Sequence, residues 1–261
     1  MFETIRIETD ARGVAWLWLA RPAKHNALDA QVIAEVTRAI GQLGADPAVR
    51  VVVLAAEGAS FCAGGDLRWM QANITATPEE RAASARSLAA MLAALNDCPK
   101  PVIGRVHGNA FGGGIGMISV CDVAIAVEGA RFGLTETKLG LTPATISPYV
   151  IARMSPAKAR AVFMSSRLFS AREAVGLNLL SRVVPAADLD AAIEAEIAPY
   201  LACAPGAVAE AKALVRALTP GLDSEAQERT IAALVARWES AEAQEGLAAF
   251  FERRAPHWLV N

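Results

Sequence analysis

Thr4 to Glu8 alternates apolar and polar side chains with a period of two, and Val14 to Leu19 continues after a turn at Asp10 to Gly13, so a hairpin is predicted at the start. A loop through Arg21-Pro22-Ala23-Lys24-His25-Asn26-Ala27-Leu28 follows, and Asp29 is placed to cap a helix running to Leu43. Val49 to Ala55 is continuously apolar, the pattern of a buried strand. A glycine-bearing loop, Glu57 to Asp66, leads to a short helix starting near Leu67, and the spacing of Leu88, Met91, Leu92 and Leu95 predicts a helix over Pro78 to Asn96. Val102 to Val106 and Val123 to Val127 read as strands. Between them, the glycines of Gly108 to Gly116 (GNAFGGGIG), following the β-branched run Val102 to Val106 that is the strand, predict a tight turn and a helix start, with Ile115 to Val120 as the apolar segment of that helix.

Strands separated by helices imply a parallel sheet with ligands at the carboxyl ends of its strands, where both glycine loops fall and can face each other. After Pro148 the pattern turns mostly helical, over Pro156 to Ser165, Ala171 to Leu177, Ala187 to Leu201, Ala207 to Leu218 and Leu222 to Arg253. Such an arm can cover the core or a neighbouring subunit. The 261 residues suffice for one large domain or a domain plus an arm.

Charge narrows the field. Lys and Arg number 25 against 27 Asp and Glu, a net charge of −2, so neither nucleic acid nor an anionic membrane is an expected partner. Apolar runs such as Val51 to Ala56 fall far short of the roughly 20 residues of a membrane span. The N-terminus lacks the blocks of a signal peptide, so a cytoplasmic location is expected. Cys62, Cys98, Cys121 and Cys203 are scattered and expected to be buried free thiols, and no metal site is indicated.

The glycines do not fit G-x-G-x-x-G, and neither a P-loop nor a G-x-S-x-G elbow occurs, which argues against a nicotinamide cofactor and a serine nucleophile. His25, His107 and His257 have no acid placed beside them and are read as solvated or structural. What remains is Gly64-Gly65 and Gly112-Gly113, each ahead of a helix and each able to offer one N–H to a single negative oxygen. Glu136, among the apolar neighbours of Phe132-Gly133-Leu134-Thr135-Glu136, is either a surface carboxylate or a proton carrier whose pKa burial raises.

Five motifs in order carry a resemblance. They are Arg21-Pro22 with Asn26-Ala27-Leu28, Phe61 to Leu67 (FCAGGDL), Lys100 to Gly114, Cys121-Asp122, and Phe132 to Glu136 with Gly140 to Pro143. With Gly176-Leu177, Val183-Val184-Pro185 and Phe251 to Pro256 they extend over nearly the whole chain, which resembles the enoyl-CoA hydratase/isomerase (crotonase) superfamily. The resemblance implies an α/β fold, a spiral of ββα units over residues 1–200 with a helical trimerisation region over 201–261, assembled as a homotrimer or a dimer of trimers. It implies an oxyanion hole from the N–H groups of Gly65 and Gly113, and it matches Glu136 to the family's acid/base glutamate. Coenzyme A, part of the substrate rather than a separate cofactor, is expected along Lys24, Ala27 and Leu28 and along Ala63, Gly64, Asp66 and Leu67, with the Ala63 carbonyl and its neighbours around the adenine.

Two departures are visible. Where family hydratases commonly carry a glutamate two residues after the triple glycine, this chain has Gly116, and the loop after Pro143 reads Ala144-Thr145-Ile146-Ser147-Pro148-Tyr149 instead of a glycine run followed by Thr-Gln. Through GGG-I-G and LTE-x-K-L-G-L-x-P-A-x-ISP-Y the chain resembles a bacterial subgroup in which both departures occur together, hydratases of the methylglutaconyl-CoA and γ-carboxygeranoyl (isohexenylglutaconyl)-CoA type, which serve leucine and acyclic terpene breakdown. The expected activity is therefore hydration of a branched or carboxylated 2-enoyl-CoA. Arg68 is the cation nearest in sequence for a distal carboxylate, and Trp69 and Met70 either line the acyl pocket or pack in the core. The alternatives are a Δ3,Δ2-enoyl-CoA isomerase using Glu136 alone and a non-catalytic acyl-CoA binding subunit.

Overall fold

In the computed structural model, which describes residues 2–259, the chain winds through a repeated strand-strand-helix unit. Strands β1 (Ile5–Thr9) and β2 (Val14–Leu19) form the opening hairpin, with Ile5 opposite Leu19. Helix α1 (Ala30–Ala45) starts where the Asp29 carboxylate accepts the N–H groups of Gln31 and Val32. The first unit is β3 (Val51–Ala56), β4 (Ser60–Cys62), α2 (Leu67–Thr75) and α3 (Pro78–Asp97), the last opened by a Thr77–Glu80 capping box. The second is β5 (Val102–Val106), β6 (Asn109–Phe111) and α4 (Gly113–Ser119). The third is β7 (Val123–Val127), β8 (Arg131–Gly133), a 3₁₀ turn over Glu136–Leu139, and helices α5 (Ser147–Met154) and α6 (Pro156–Phe163). A final turn follows as β9 (Phe169–Ser170), α7 (Ala171–Gly176) and β10 (Arg182–Val184), before α8 (Leu189–Leu201), α9 (Pro205–Ala217), α10 (Ser224–Trp238) and α11 (Ala241–Glu252).

The first strand of each unit joins a six-stranded sheet of order β1-β2-β3-β5-β7-β10, parallel from β2 onward. The second strands make a smaller sheet, β4-β6-β8-β9, parallel except for its last pair. This is the expected spiral of ββα units. Burial on both faces explains the continuous apolar run of β3, all six of whose residues are buried.

The smaller sheet is where sequence pattern falls short. Its strands have two or three residues, too few to show a period, so Ser60–Cys62 and Asn109–Phe111 pass for loop. Helix α5 also begins inside the segment read as irregular. The single helix expected over Leu222 to Arg253 is two, because Ser240 ends one and caps the next by accepting the Ala243 N–H. Cys62, Cys98 and Cys121 are buried, but Cys203 is exposed, which corrects that expectation.

The C-terminal helices lie on their own core. Ile231 packs with Ala85 and Ala89 of α3, and Trp238, Ala243 and Leu247 cluster with Leu141. α10 and α11 together fasten the 3₁₀ turn: a Cβ on Gly246 of α11 would stand 2.5 Å from the Leu139 carbonyl carbon, and Arg237 Nε of α10 donates to the Gly140 carbonyl at 3.0 Å. Among the described residues no helix is long and apolar enough to cross a membrane.

Candidate active site

The two glycine loops are laced together through Leu28. Its N–H donates to the Gly64 carbonyl at 2.7 Å, and its carbonyl accepts the Asp66 N–H at 2.8 Å, which sets Gly65 beside it as an isolated parallel bridge. On the other side, a Cβ on Gly113 would stand 2.7 Å from Leu28 Cδ1, so the second loop closes against the same side chain. Gly64 and Gly112 take φ of +94° and +47°, backbone that L side chains rarely adopt. Among the described residues, the N–H groups of Gly65 and Gly113 have no protein acceptor. Both glycines line one cavity of about 120 Å³. Two unspent donors on one apolar cavity are equipped to receive an oxygen that becomes negative.

Glu136 opens the 3₁₀ turn after β8 and lines the same cavity. Its Oε2 is fully enclosed without a hydrogen-bond partner, and its Oε1 lies 2.8 Å from where a Cβ on Gly112 would stand. Desolvation pushes its pKa up to about 7, with its own backbone N–H pulling weakly the other way. A carboxyl group poised there takes and returns a proton near neutral pH.

The rest of the wall is apolar with few polar atoms. Leu28, Trp69, Met70 and Leu88 face Leu141, Pro143 and Ile146, and Leu234 and Trp238 close it from α10. Position 116 offers no room for a second carboxylate: a Cβ on Gly116 would meet Ile146 Cγ2 at 2.6 Å and Ile146 Cβ at 3.1 Å. The two departures noted in the sequence are thus one packing event, in which Ile146 takes the volume beside Gly116. Next to it, Thr142 and Thr145 line the cavity, and their hydroxyls are buried and unpartnered among the described residues. Among the described residues the cation in the wall is Arg81, which donates from Nε to the Asn73 carbonyl and from Nη2 to the Ile74 carbonyl, each at 2.8 Å.

The sequence model of the enoyl-CoA hydratase/isomerase family matches residues 9–261. An enoyl-CoA hydratase structure from Mycobacterium avium is 32% identical over 99% of this chain and 100% of its own, with a TM-score of 0.89. One from Shewanella pealeana is 37% identical over 98% and 96%, with a TM-score of 0.81. The mevalonyl-coenzyme A hydratase sidH of Aspergillus fumigatus is 31% identical over 93% of this chain and 90% of its own. The chain belongs to the enoyl-CoA hydratase/isomerase family.

Of the residues expected from the family pattern, Gly65, Gly113, Glu136 and Leu28 meet at the cavity. Lys24 and Asp66 line a shallow neighbouring depression with Arg21, Asp29, Gln31 and Arg68, while Ala27, Ala63, Gly64 and Leu67 line neither. Asp66 acts on the backbone around it. It is buried, caps α2 through the N–H groups of Arg68 and Trp69, and pairs with Arg21 at 3.3 Å. Arg68 is exposed and outside the cavity, so it is not the acyl-pocket cation; α2 turns it outward while α3 brings Arg81 in. Trp69 and Met70 do both things asked of them, lining the cavity and packing on core clusters. His107 donates to or accepts from nothing in the cavity, its Nε2 sitting 2.8 Å from the Gly58 carbonyl. His257, contrary to expectation, does have an acid beside it: its Nδ1 is 3.7 Å from Glu245. Sequence reasoning missed Arg81, Thr142, Thr145 and Trp238. The string LTPATISP held both threonines, Thr142 inside the matching Gly140 to Pro143 motif and Thr145 in the departure that follows Pro143.

Proposed function

We propose that the protein adds water across the C2–C3 double bond of a 2-enoyl-CoA thioester. The Gly65 and Gly113 N–H groups hold the thioester oxygen as it becomes an enolate, and Glu136 carries the proton. One observation bears this reading above others: two N–H donors without acceptors and one enclosed, unpartnered carboxyl oxygen share a single apolar cavity. Ionised Glu136 accepts a proton from water as its oxygen attacks C3, the π pair moves onto the thioester oxygen, and Glu136 returns the proton to C2. Both new bonds form on the face that Glu136 occupies, a syn addition. An oxyanion donor of this kind typically contributes about 10²–10³ in rate.

Coenzyme A, as part of the substrate, lies along Lys24, Ala27 and Leu28 and past Ala63, Gly64, Asp66 and Leu67. The cationic Lys24, Arg21 and Arg68 around the adjoining depression suit its phosphates. The acyl group is branched or carboxylated, of the methylglutaconyl-CoA type. Support comes from the likeness to the mevalonyl-coenzyme A hydratase and from a cation, Arg81, in the cavity wall. The same reading carries a cytoplasmic location and a homotrimer or dimer of trimers, the assembly supported by Leu214 and Val215 of α9 and Leu218 just after it, which lie 61–75% exposed. Sedimentation measures that assembly.

The test is a panel of straight, branched and carboxylated 2-enoyl-CoA thioesters, with a 3-enoyl-CoA beside them. Hydration fastest on a branched or carboxylated member is the expected result. Isomerisation of the 3-enoyl substrate without hydration of any 2-enoyl one would replace the hydratase reading with an isomerase, and CoA binding without turnover would leave a binding subunit.

A further inference from the structure

We propose that Thr145 holds the attacking water opposite Glu136, supplying the second hydrogen-bond partner that position 116 cannot. This rests on the hydratase reading above. Water that attacks an alkene carbon must be held by its two O–H bonds so that a lone pair faces the carbon. Glu136 Oε2, enclosed and unpartnered, accepts one of them. A second acceptor must stand on the same cavity. Gly116 offers no side chain, and Ile146 already fills the space one would need, its Cγ2 2.6 Å from the place of a Cβ.

Thr145 is the residue beside that plug. It is only 4% exposed, lines the cavity that Glu136 lines, and its Oγ1 is buried with no partner among the described residues. A buried hydroxyl left unpaired is costly unless a ligand or ordered water completes it, and such exceptions call for a functional account. The segment that shuts out a second carboxylate therefore presents a hydroxyl in its place. Thr142 has a similar unpaired hydroxyl on the same wall but is less deeply buried.

The step balances with Thr145 giving up nothing. One water proton passes to the Glu136 carboxylate, the other O–H stays hydrogen-bonded to Thr145 Oγ1, and the oxygen lone pair forms the C3–O bond. The C2–C3 π pair moves to the thioester oxygen, and Glu136 then delivers its proton to C2 as the enolate collapses. Removal of a proton from C2 of a saturated acyl-CoA uses the same donors and the same carboxylate but no water, so it does not involve Thr145.

The experiment compares Thr145→Val, Thr145→Ser and Thr142→Val with the unaltered enzyme, reading kcat and KM for hydration and exchange of the C2 proton in deuterated water. Thr145→Val should lower kcat for hydration about tenfold, the worth of one hydrogen bond to a bound reactant. KM and C2 exchange should be unchanged, and the melting temperature no lower, since the lost hydroxyl has no protein partner. Thr145→Ser should restore hydration, and Thr142→Val should cost less. The assignment is overturned if Thr145→Val hydrates within twofold of the unaltered enzyme, if hydration and exchange fall together, if Thr145→Ser fails as Thr145→Val does, or if Thr142→Val shows the larger loss. An unaltered enzyme that hydrates no 2-enoyl-CoA overturns the parent reading, and this assignment with it.

Discussion

Ile146 and Gly116 share one volume: the Cβ of any larger residue at 116 would sit 2.6 Å from Ile146 Cγ2. Restoring the carboxylate that many family members carry there therefore takes two substitutions. Gly116→Glu alone should lower the melting temperature, because overpacking costs about 1–3 kcal/mol and the introduced carboxylate is buried as well. It should not raise the hydration rate. Gly116→Glu combined with Ile146→Ala should recover much of that stability, and thermal melts of the two variants read the difference. Equal melting temperatures would mean that Ile146 moves aside freely.

Glu136 is aimed by the backbone at Gly112. With Oε1 2.8 Å from the place of a Cβ and φ at +47°, Gly112→Ala both strains the turn and pushes the carboxylate off its position. A hydration kcat lower by about 10²-fold is expected, since small displacements of a reacting group cost that much. The stability loss from the strained residue should be only about 1–3 kcal/mol. A kcat near that of the unaltered protein would show that the carboxylate has slack.

Burial raises the Glu136 pKa to about 7, and the proposed hydration begins with the ionised form. Hydration should therefore show an acidic limb, with kcat/KM rising as pH passes through about 7 and levelling above it. Glu136→Gln should abolish turnover while folding normally. The sign for stability runs the other way. A carboxyl whose folded pKa lies above its unfolded value contributes fully at acid pH and loses that contribution as pH rises toward 7. Unaltered protein and Glu136→Gln should then melt together near pH 4. At pH 8 the variant should be the more stable by on the order of 1–3 kcal/mol, from about 1.4 kcal/mol per pK unit. Calorimetry at the two pH values measures it; a variant less stable at pH 8 would place Glu136 in a partnered, favourable site.

Long elements were legible in the sequence because they repeat their period many times. The helix over Pro78 to Asn96 and the buried run from Val51 onward stand close to where pattern put them. The smaller sheet was not legible, since a three-residue strand such as Asn109–Phe111 gives one alternation and then ends. At the site, Gly65, Gly113 and Glu136 could be named because motif order fixes them locally. Arg81 and Trp238 could not. Their place in the cavity depends on how α3 and α10 cross the core, a contact between segments more than 100 residues apart in sequence, and nothing local announces it. For the same reason Arg68, adjacent to the glycine loop in sequence, was a poor guide: half a helical turn is enough to send a side chain to the opposite face.

The C-terminal helices bear on the chemistry through more than the Leu234 and Trp238 side chains that line the cavity. Arg237 donates from Nε and Nη2 to the Gly140 carbonyl at 3.0 and 2.5 Å, and Gly246 lets α11 lie directly on the Leu139 backbone, both at the end of the turn that Glu136 begins. Neither residue lines the cavity. Arg237→Met removes two hydrogen bonds to one carbonyl and keeps the stem, so the turn should loosen while the cavity wall persists. Hydration kcat should fall severalfold with KM little changed. Gly246→Ala should do more, because the new Cβ would meet backbone at 2.5 Å that no side-chain rotation relieves. The acidic limb of the pH profile should shift downward in both variants as water reaches the Glu136 carboxyl. Unchanged kcat together with an unchanged limb would show that the turn keeps its shape without these contacts from α10 and α11.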